Sequence, residues 1–240
     1  MVAGMKIFLY GPPGSGKSTC GRLLAESLEL PFIDLDREIE ASSGQTIAEI
    51  FDAEGEAGFR SREKRQLMQQ VERREGVIAL GGGALLDEES RRRVQAAGQV
   101  VCLMAVLAGL AGRLEAEAGK RPLLMEDLRS GLEALLGRRA GHYASFPIQV
   151  DTTGLTADQA AWEIQIALGH FRLTGMGEGY DLIIRNGALD ELGSLLQQRN
   201  LKGPAAIVSD EHVAPLYLAR ARSALEAAGY AAGEIVLPAG

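Results

Sequence analysis

The sequence predicts an α/β fold: a mostly parallel sheet flanked by helices around a phosphate-binding loop, with a partial second α/β unit behind it. Three observations predict this. Residues 11–18 read Gly-Pro-Pro-Gly-Ser-Gly-Lys-Ser, the pattern G-x-x-x-x-G-K-[ST], directly after the apolar run Met5–Tyr10. Strand-like and helix-like segments alternate over the first 170 residues or so, as parallel sheets with crossover helices require. The glycine-rich stretch 173–179 then separates a second, shorter alternation.

The elements follow in order. Met5–Tyr10 is the first strand, and Leu23, Leu24 and Leu28 mark one face of the helix after the loop. Phe32-Ile33, Val77–Leu80 and Val100–Leu103 are short apolar runs suited to strands buried on both faces. Thr46 with Glu49, and Thr156 with Gln159, have capping-box spacing and predict two helix starts. Asp87 is the expected N-cap of a helix reaching Ala97, with Glu88 and Glu89 in its first turn. Beyond residue 179, strands are predicted at Tyr180–Arg185, Ala205–Ser209 and Glu234–Leu237, and helices at Leu189–Arg199 and Pro215–Ala228.

The loop carries the chemistry. Small residues let successive backbone N–H groups curl around phosphate oxygens, while the following helix aims its positive end at them. Gly11, Pro12, Pro13, Gly14, Ser15, Gly16, Lys17, Ser18 and Thr19 are therefore the expected triphosphate-binding residues. Lys17 should reach the β- and γ-phosphates, and the Ser18 hydroxyl should sit on Mg²⁺.

Composition narrows the alternatives. The 240 residues are 46% hydrophobic and 24% charged, ordinary for a soluble globular chain. A net charge of −7 argues against a nucleic-acid partner, and Arg91-Arg92-Arg93 reads as the solvated face of a helix. No apolar run approaches the ~18 residues of a membrane span, and no leader pattern is evident. Cys20 and Cys102 fall on a predicted helix and a predicted buried strand, which suits a reducing, cytoplasmic setting. The three histidines have no metal-ligand spacing, so the expected metal is the one that arrives with the nucleotide.

Three further groups fall at the carboxyl ends of predicted strands, where ligands of such sheets bind. Asp34 and Asp36 follow Phe32-Ile33, and one carboxylate could hold hydrated Mg²⁺ while the other meets an acceptor hydroxyl. The plainer reading makes Asp36 the N-cap of the next helix. Gly81-Gly82-Gly83 follows Leu80 and permits close backbone approach to a ligand, or is simply a loop. Arg60, Arg121 and Arg139 could meet an anionic acceptor, although a single arginine is more often a solvated surface residue.

Together, the loop, Phe32-x-Asp34-x-Asp36, Gly55-Glu56-x-x-Phe59-Arg60, Gly81-Gly82-Gly83, Arg121-Pro122-Leu123-Leu124 and Arg139-x-x-x-Tyr143 resemble the shikimate kinases, a P-loop kinase family, over residues ~4–170. The resemblance implies Mg²⁺-dependent transfer from ATP to the 3-hydroxyl of shikimate. It implies Asp36, Arg60, Gly81, Gly82, Gly83 and Arg139 as acceptor-binding residues. Lys17, Asp36 and Arg121 become the catalytic set, and Ser18 and Asp34 the magnesium side. Arg121 belongs to a lid, and Arg113, near the start of the lid stem Leu110–Gly119, is matched to an arginine that stacks on adenine. The family often reads Arg-x-Pro-Leu-Tyr where this chain has Arg139-Ala140-Gly141-His142-Tyr143, which alters the turn. Gluconate or a nucleoside monophosphate as acceptor, or an ATP-binding module without catalysis, are the competing readings.

Residues 180–240 resemble the beginning of 3-dehydroquinate synthase through Tyr180–Ile184, Ala206–Asp210 with Val213–Tyr217, and Val236–Gly240. Asp210 matches an aspartate on the adenosine side of NAD, while His212 stands where that family usually has asparagine. NAD and a divalent metal would belong to a complete synthase only. The expected organisation is a kinase-like domain 1–172, a linker 173–179 and an incomplete synthase-like segment 180–240, as in a truncated fusion. The lone last strand makes the tail a surface for self-association.

Overall fold

The computed structural model describes residues 5–73, 75–118, 125–173 and 179–239. Two compact units divide the chain, Met5–Tyr180 and the residues from Asp181 onward.

In the first unit, β1 (Lys6–Tyr10) is the central strand of a five-stranded parallel sheet. The others are β2 (Phe32–Asp34), β3 (Gly76–Ala79), β4 (Gln99–Met104) and β5 (Ile148–Asp151), in the order β2-β3-β1-β4-β5. Register pairs Ile7 with Val77 on one side and with Gln99 on the other. Alternate side chains of β1 therefore enter opposite cores. Phe8 and Tyr10 join Ile78, Leu80 and Cys102, covered by residues of α2 (Leu35–Ser43), α3 (Ile47–Val71) and α4 (Glu88–Ala97). Ile7 and Leu9 join Val77, Val101 and Val150 beneath α1 (Lys17–Leu28) and α7 (Ala157–Leu168). Burying both faces is why β1, β3 and β4 read as continuous apolar runs.

Local chemistry fixes the helix starts. Thr46 and Thr156 each close a complete capping box, with Glu49 and Gln159. Asp87 caps α4 by accepting from the Ser90 amide. The plainer reading of Asp36 does not hold: the cap of α2 is Asp34, which accepts from the amides of Asp36 and Arg37, so Asp36 keeps its carboxylate for other work. Gly55 has φ 68 and ψ −174 and breaks α3 into two helical pieces. The stretch read as a lid stem is the body of α5 (Leu107–Ala118), anchored by Leu110 and Ala111 against Leu132 of α6 (Met125–Ala144). Arg121 lies outside the described residues, as do residues 174–178 of the expected linker. Leu173 ends a further strand, β6 (His170–Leu173), which the apolar pattern did not announce.

Beyond Gly179 come β7 (Tyr180–Ile183), α8 (Leu192–Gln198), β8 (Ala205–Asp210), α9 (Ala214–Ala227) and β9 (Ala232–Leu237). Strands β8 and β9 pair in parallel from Ala205 opposite Ala232 to Asp210 opposite Leu237. Helix α8 starts three residues later than expected because residues 187–191 form a turn, with the Asp190 and Glu191 amides on the Gly187 carbonyl. Val208, Ile235, Val236 and Leu237 are exposed.

Candidate active site

Every strand of the parallel sheet delivers its carboxyl end to one edge, and the topological switch lies beside β1. The phosphate-binding loop springs from that position. Gly16 has φ 90 and precedes α1 without a side-chain cap, so the first amides of the helix stay available to an anion. Gly11 must be glycine because a Cβ there would meet the Leu103 carbonyl oxygen at 2.2 Å. Lys17 folds over its own loop, Nζ donating to the carbonyls of Gly11 at 3.0 Å and Pro12 at 2.9 Å. Ser18 and Thr19 are exposed on the first turn of α1.

The loop is braced from α5 and from the end of β5. Arg113 Nη1 donates to Thr152 Oγ1 at 2.9 Å and to the Gly14 carbonyl at 3.3 Å, and Nη2 donates to the Thr152 carbonyl at 2.5 Å. Buried Thr152 also reaches the carbonyls of Met104 at 3.0 Å and Ser15 at 3.3 Å. The sequence reading missed Thr152. Its signal was the alternation of β5, with Val150 buried between exposed Gln149 and Asp151, which a search for continuous apolar runs passes over.

The three glycines after β3 each make room for a different neighbour. A Cβ on Gly81 would stand 2.4 Å from Glu63 Oε1 and 3.4 Å from Asp36 Oδ1. On Gly82 it would stand 3.2 Å from the Gly11 carbonyl oxygen and 3.4 Å from Pro13 Cδ. On Gly83 it would stand 2.7 Å from both terminal nitrogens of Arg60. Asp36, Arg60, the glycine loop and the phosphate loop thus converge on one spot. Arg139 joins them, its Nη1 donating to the Gly82 carbonyl at 2.9 Å beside the Tyr143 hydroxyl, also at 2.9 Å.

Arg60 is oriented by α3 itself. Its Nη1 donates to Glu63 Oε2 at 2.5 Å, and Nη2 to Glu56 Oε1 at 3.4 Å. Glu63 is 3% exposed, and its Oε1 has no hydrogen-bond partner. It too escaped the sequence reading, because a carboxylate on a long polar helix looks solvated until the helix is docked. Burial pushes the Glu63 carboxyl above the usual carboxylate range, against the pull of Arg60. Burial also raises Asp36, with Asp34 adding to the rise and Lys17 opposing it.

The shikimate kinase family profile matches residues 13–168. The chain belongs to the shikimate kinase family. It is 41% identical over 163 residues to shikimate kinase 1 of Enterobacter sp. strain 638, covering 67% of this chain and 92% of that protein. With the shikimate kinase of Francisella tularensis subsp. novicida the identity is 43% over 159 residues, 65% of this chain and 90% of the relative. The solved shikimate kinase from Acinetobacter baumannii in complex with shikimate superposes with a TM-score of 0.63 at 37% identity, covering 70% of this chain and 94% of that one. Membership makes the chain a kinase, on a five-stranded parallel sheet flanked by helices.

The family match ends at residue 168, ahead of the second unit. There, Asp210 Oδ1 accepts from the amides of His212 and Val213, which is the geometry of a local turn into α9. Among the described residues no helix is long and apolar enough to cross a membrane. Nor does any group of three or more His, Cys, Asp or Glu side chains among them form a metal cluster.

Proposed function

We propose that residues 5–173 transfer the γ-phosphoryl group of ATP to the 3-hydroxyl of shikimate. The observation that carries this reading is the family match, together with the convergence of Asp36, Arg60, Gly81–Gly83 and Arg139 on the phosphate loop.

Shikimate is a small carboxylated triol, and the site has the matching chemistry. Arg60 and Arg139 offer planar donor forks to the carboxylate. Asp36 accepts the hydrogen bond of the attacking 3-hydroxyl, orients the oxygen toward the phosphate loop, and takes the proton as transfer completes. Lys17 leaves the Gly11 and Pro12 carbonyls for the β- and γ-phosphate oxygens, exchanging two neutral acceptors for charged ones. Arg113 holds the loop at Gly14 and Thr152, and Arg121 is assigned the lid over the transferring group. Ser18 and Asp34 are the residues that would offer oxygens to Mg²⁺, which would supply positive charge against the phosphates there.

For residues 180–240 the start of a 3-dehydroquinate synthase unit remains our reading, and a kinase–synthase fusion the arrangement it implies. The strand–helix order of the second unit supports it, as do the three sequence stretches carrying the resemblance.

Incubation of the protein with Mg-ATP and shikimate, followed by phosphorus NMR of the product, tests the reaction. A single phosphomonoester on the 3-hydroxyl is expected. A phosphate on another hydroxyl would displace Asp36 from its role, and inorganic phosphate alone would mean that the acceptor site does not hold shikimate.

A further inference from the structure

Tyr10 and His142 stand behind the Gly82 carbonyl. That oxygen is approached by three donors: Arg139 Nη1 at 2.9 Å, Tyr143 Oη at 2.9 Å and Tyr10 Oη at 3.2 Å. A carbonyl oxygen has two lone pairs, so the longest of the three contacts is in excess. The Tyr10 hydroxyl has a second neighbour, His142 Nε2 at 3.0 Å. A phenol carries one proton, and the imidazole decides where it points.

While His142 is neutral with its proton on Nδ1, Nε2 accepts from the Tyr10 hydroxyl. Arg139 and Tyr143 then fill the Gly82 carbonyl between them. When His142 takes a proton from solvent, Nε2 becomes a donor to the Tyr10 oxygen. The phenol proton is turned away from the ring nitrogen and toward the Gly82 carbonyl, where it competes with Arg139 for a lone pair. No covalent bond to carbon changes, and the only net event is uptake of one proton by the imidazole.

We propose that Tyr10 and His142 form a proton-operated relay that sets how firmly the Gly82 carbonyl holds the Arg139 guanidinium. The proposal rests on the reading that Arg139 meets the acceptor carboxylate. Release of its Nη1 donor then strengthens acceptor binding at lower pH, and the added positive charge nearby acts in the same direction. Both are positioning residues, acting on the acceptor through Arg139.

The surroundings suit the task. The His142 ring packs edge-on against Tyr10, Tyr143 and Phe146, with centroids 5.7, 5.9 and 5.3 Å away, so its place is fixed. The charged groups facing it are Arg91 and Glu88 of α4 and Arg139 of its own helix, while Glu63 and Cys102 face Tyr10. Burial holds the imidazole below its ordinary range, helped by Arg91 and Arg139 and opposed by Glu88. Burial also raises the Tyr10 hydroxyl, with Tyr143 adding to the rise, so the phenol keeps the proton it must pass on.

The test is the KM for shikimate at saturating Mg-ATP between about pH 5 and about pH 8, the range in which a histidine changes charge. It is measured in the unaltered protein, Tyr10→Phe and His142→Gln. The relay predicts that KM falls about fivefold or more toward acid pH in the unaltered protein, a usual size for coupling between sites. It predicts that His142→Gln loses that slope and that Tyr10→Phe keeps only the smaller part due to the imidazolium charge, whereas titration of Asp36 or Glu63 would show alike in all three. A KM without pH dependence in the unaltered protein overturns the relay, as does an undiminished slope in Tyr10→Phe. Absence of shikimate turnover in the unaltered protein overturns the acceptor reading beneath it instead.

Discussion

Glu63 and Gly81 occupy each other's margins: a Cβ on Gly81 would lie 2.4 Å from the unpartnered Oε1 of Glu63. The glycine after β3 therefore leaves room for a buried carboxylate on α3, which in turn orients Arg60. Gly81→Ala should push Glu63 off Arg60 and cost about 1–3 kcal/mol of stability as an overpacked site. Thermal unfolding and the KM for shikimate should both worsen; an alanine variant with unchanged KM would separate the glycine from the acceptor site.

Glu63→Gln keeps the shape of the side chain and removes its charge. The short bond to Arg60 becomes a neutral one, and charge-assisted bonds are worth about 1.5–3 kcal/mol against roughly 1 for neutral ones. The KM for shikimate should rise about tenfold while the KM for ATP stays put. Steady-state kinetics with each substrate varied in turn separates the two.

Asp36 should show the opposite signs of function and stability. Its folded carboxyl is raised by burial and by Asp34, so folded protein binds the proton more tightly than unfolded chain. Stability therefore falls as pH rises from the ordinary carboxylate value, about 3.9, through the raised folded one, and the deficit is complete at neutral pH. Asp36→Asn should unfold at a higher temperature at neutral pH and yet lose about 10²-fold or more in kcat. The acid limb of the kcat profile should also lie above the usual carboxylate range.

The Asp87 cap is predicted to matter for folding alone. Its carboxylate accepts from the Ser90 amide and hydroxyl at 2.9 and 2.8 Å and meets Lys64 at 3.1 Å, and these contacts lower its pKa to about 2. A depressed carboxyl contributes stability above its unfolded pKa, about 3.9, and that stability drains away as pH falls through about 2. Asp87→Ala should cost about 1 kcal/mol at neutral pH by chemical denaturation, with kinetics unchanged.

Much of this was legible in the sequence, for physical reasons. The phosphate loop announces itself because its backbone path admits so few residue types, and the two capping boxes because two side chains must satisfy two amides at fixed spacing. Strands β1, β3 and β4 stood out through burial on both faces. Half-exposed β5 did not, and Thr152 was lost with it. Glu63 was invisible for another reason: whether a helical carboxylate is solvated depends on which face of α3 docks, and Gly55 resets that phase in mid-helix. The capping role fell on Asp34 rather than Asp36 because β2 runs one residue past its apolar pair.

The most direct measurement is ADP release from Mg-ATP with shikimate, gluconate and AMP offered separately to the protein. The account predicts rapid release with shikimate and only background with the other two, and loss of that release in Lys17→Ala. Equal release with gluconate or AMP, or release with shikimate that survives Lys17→Ala, would contradict it.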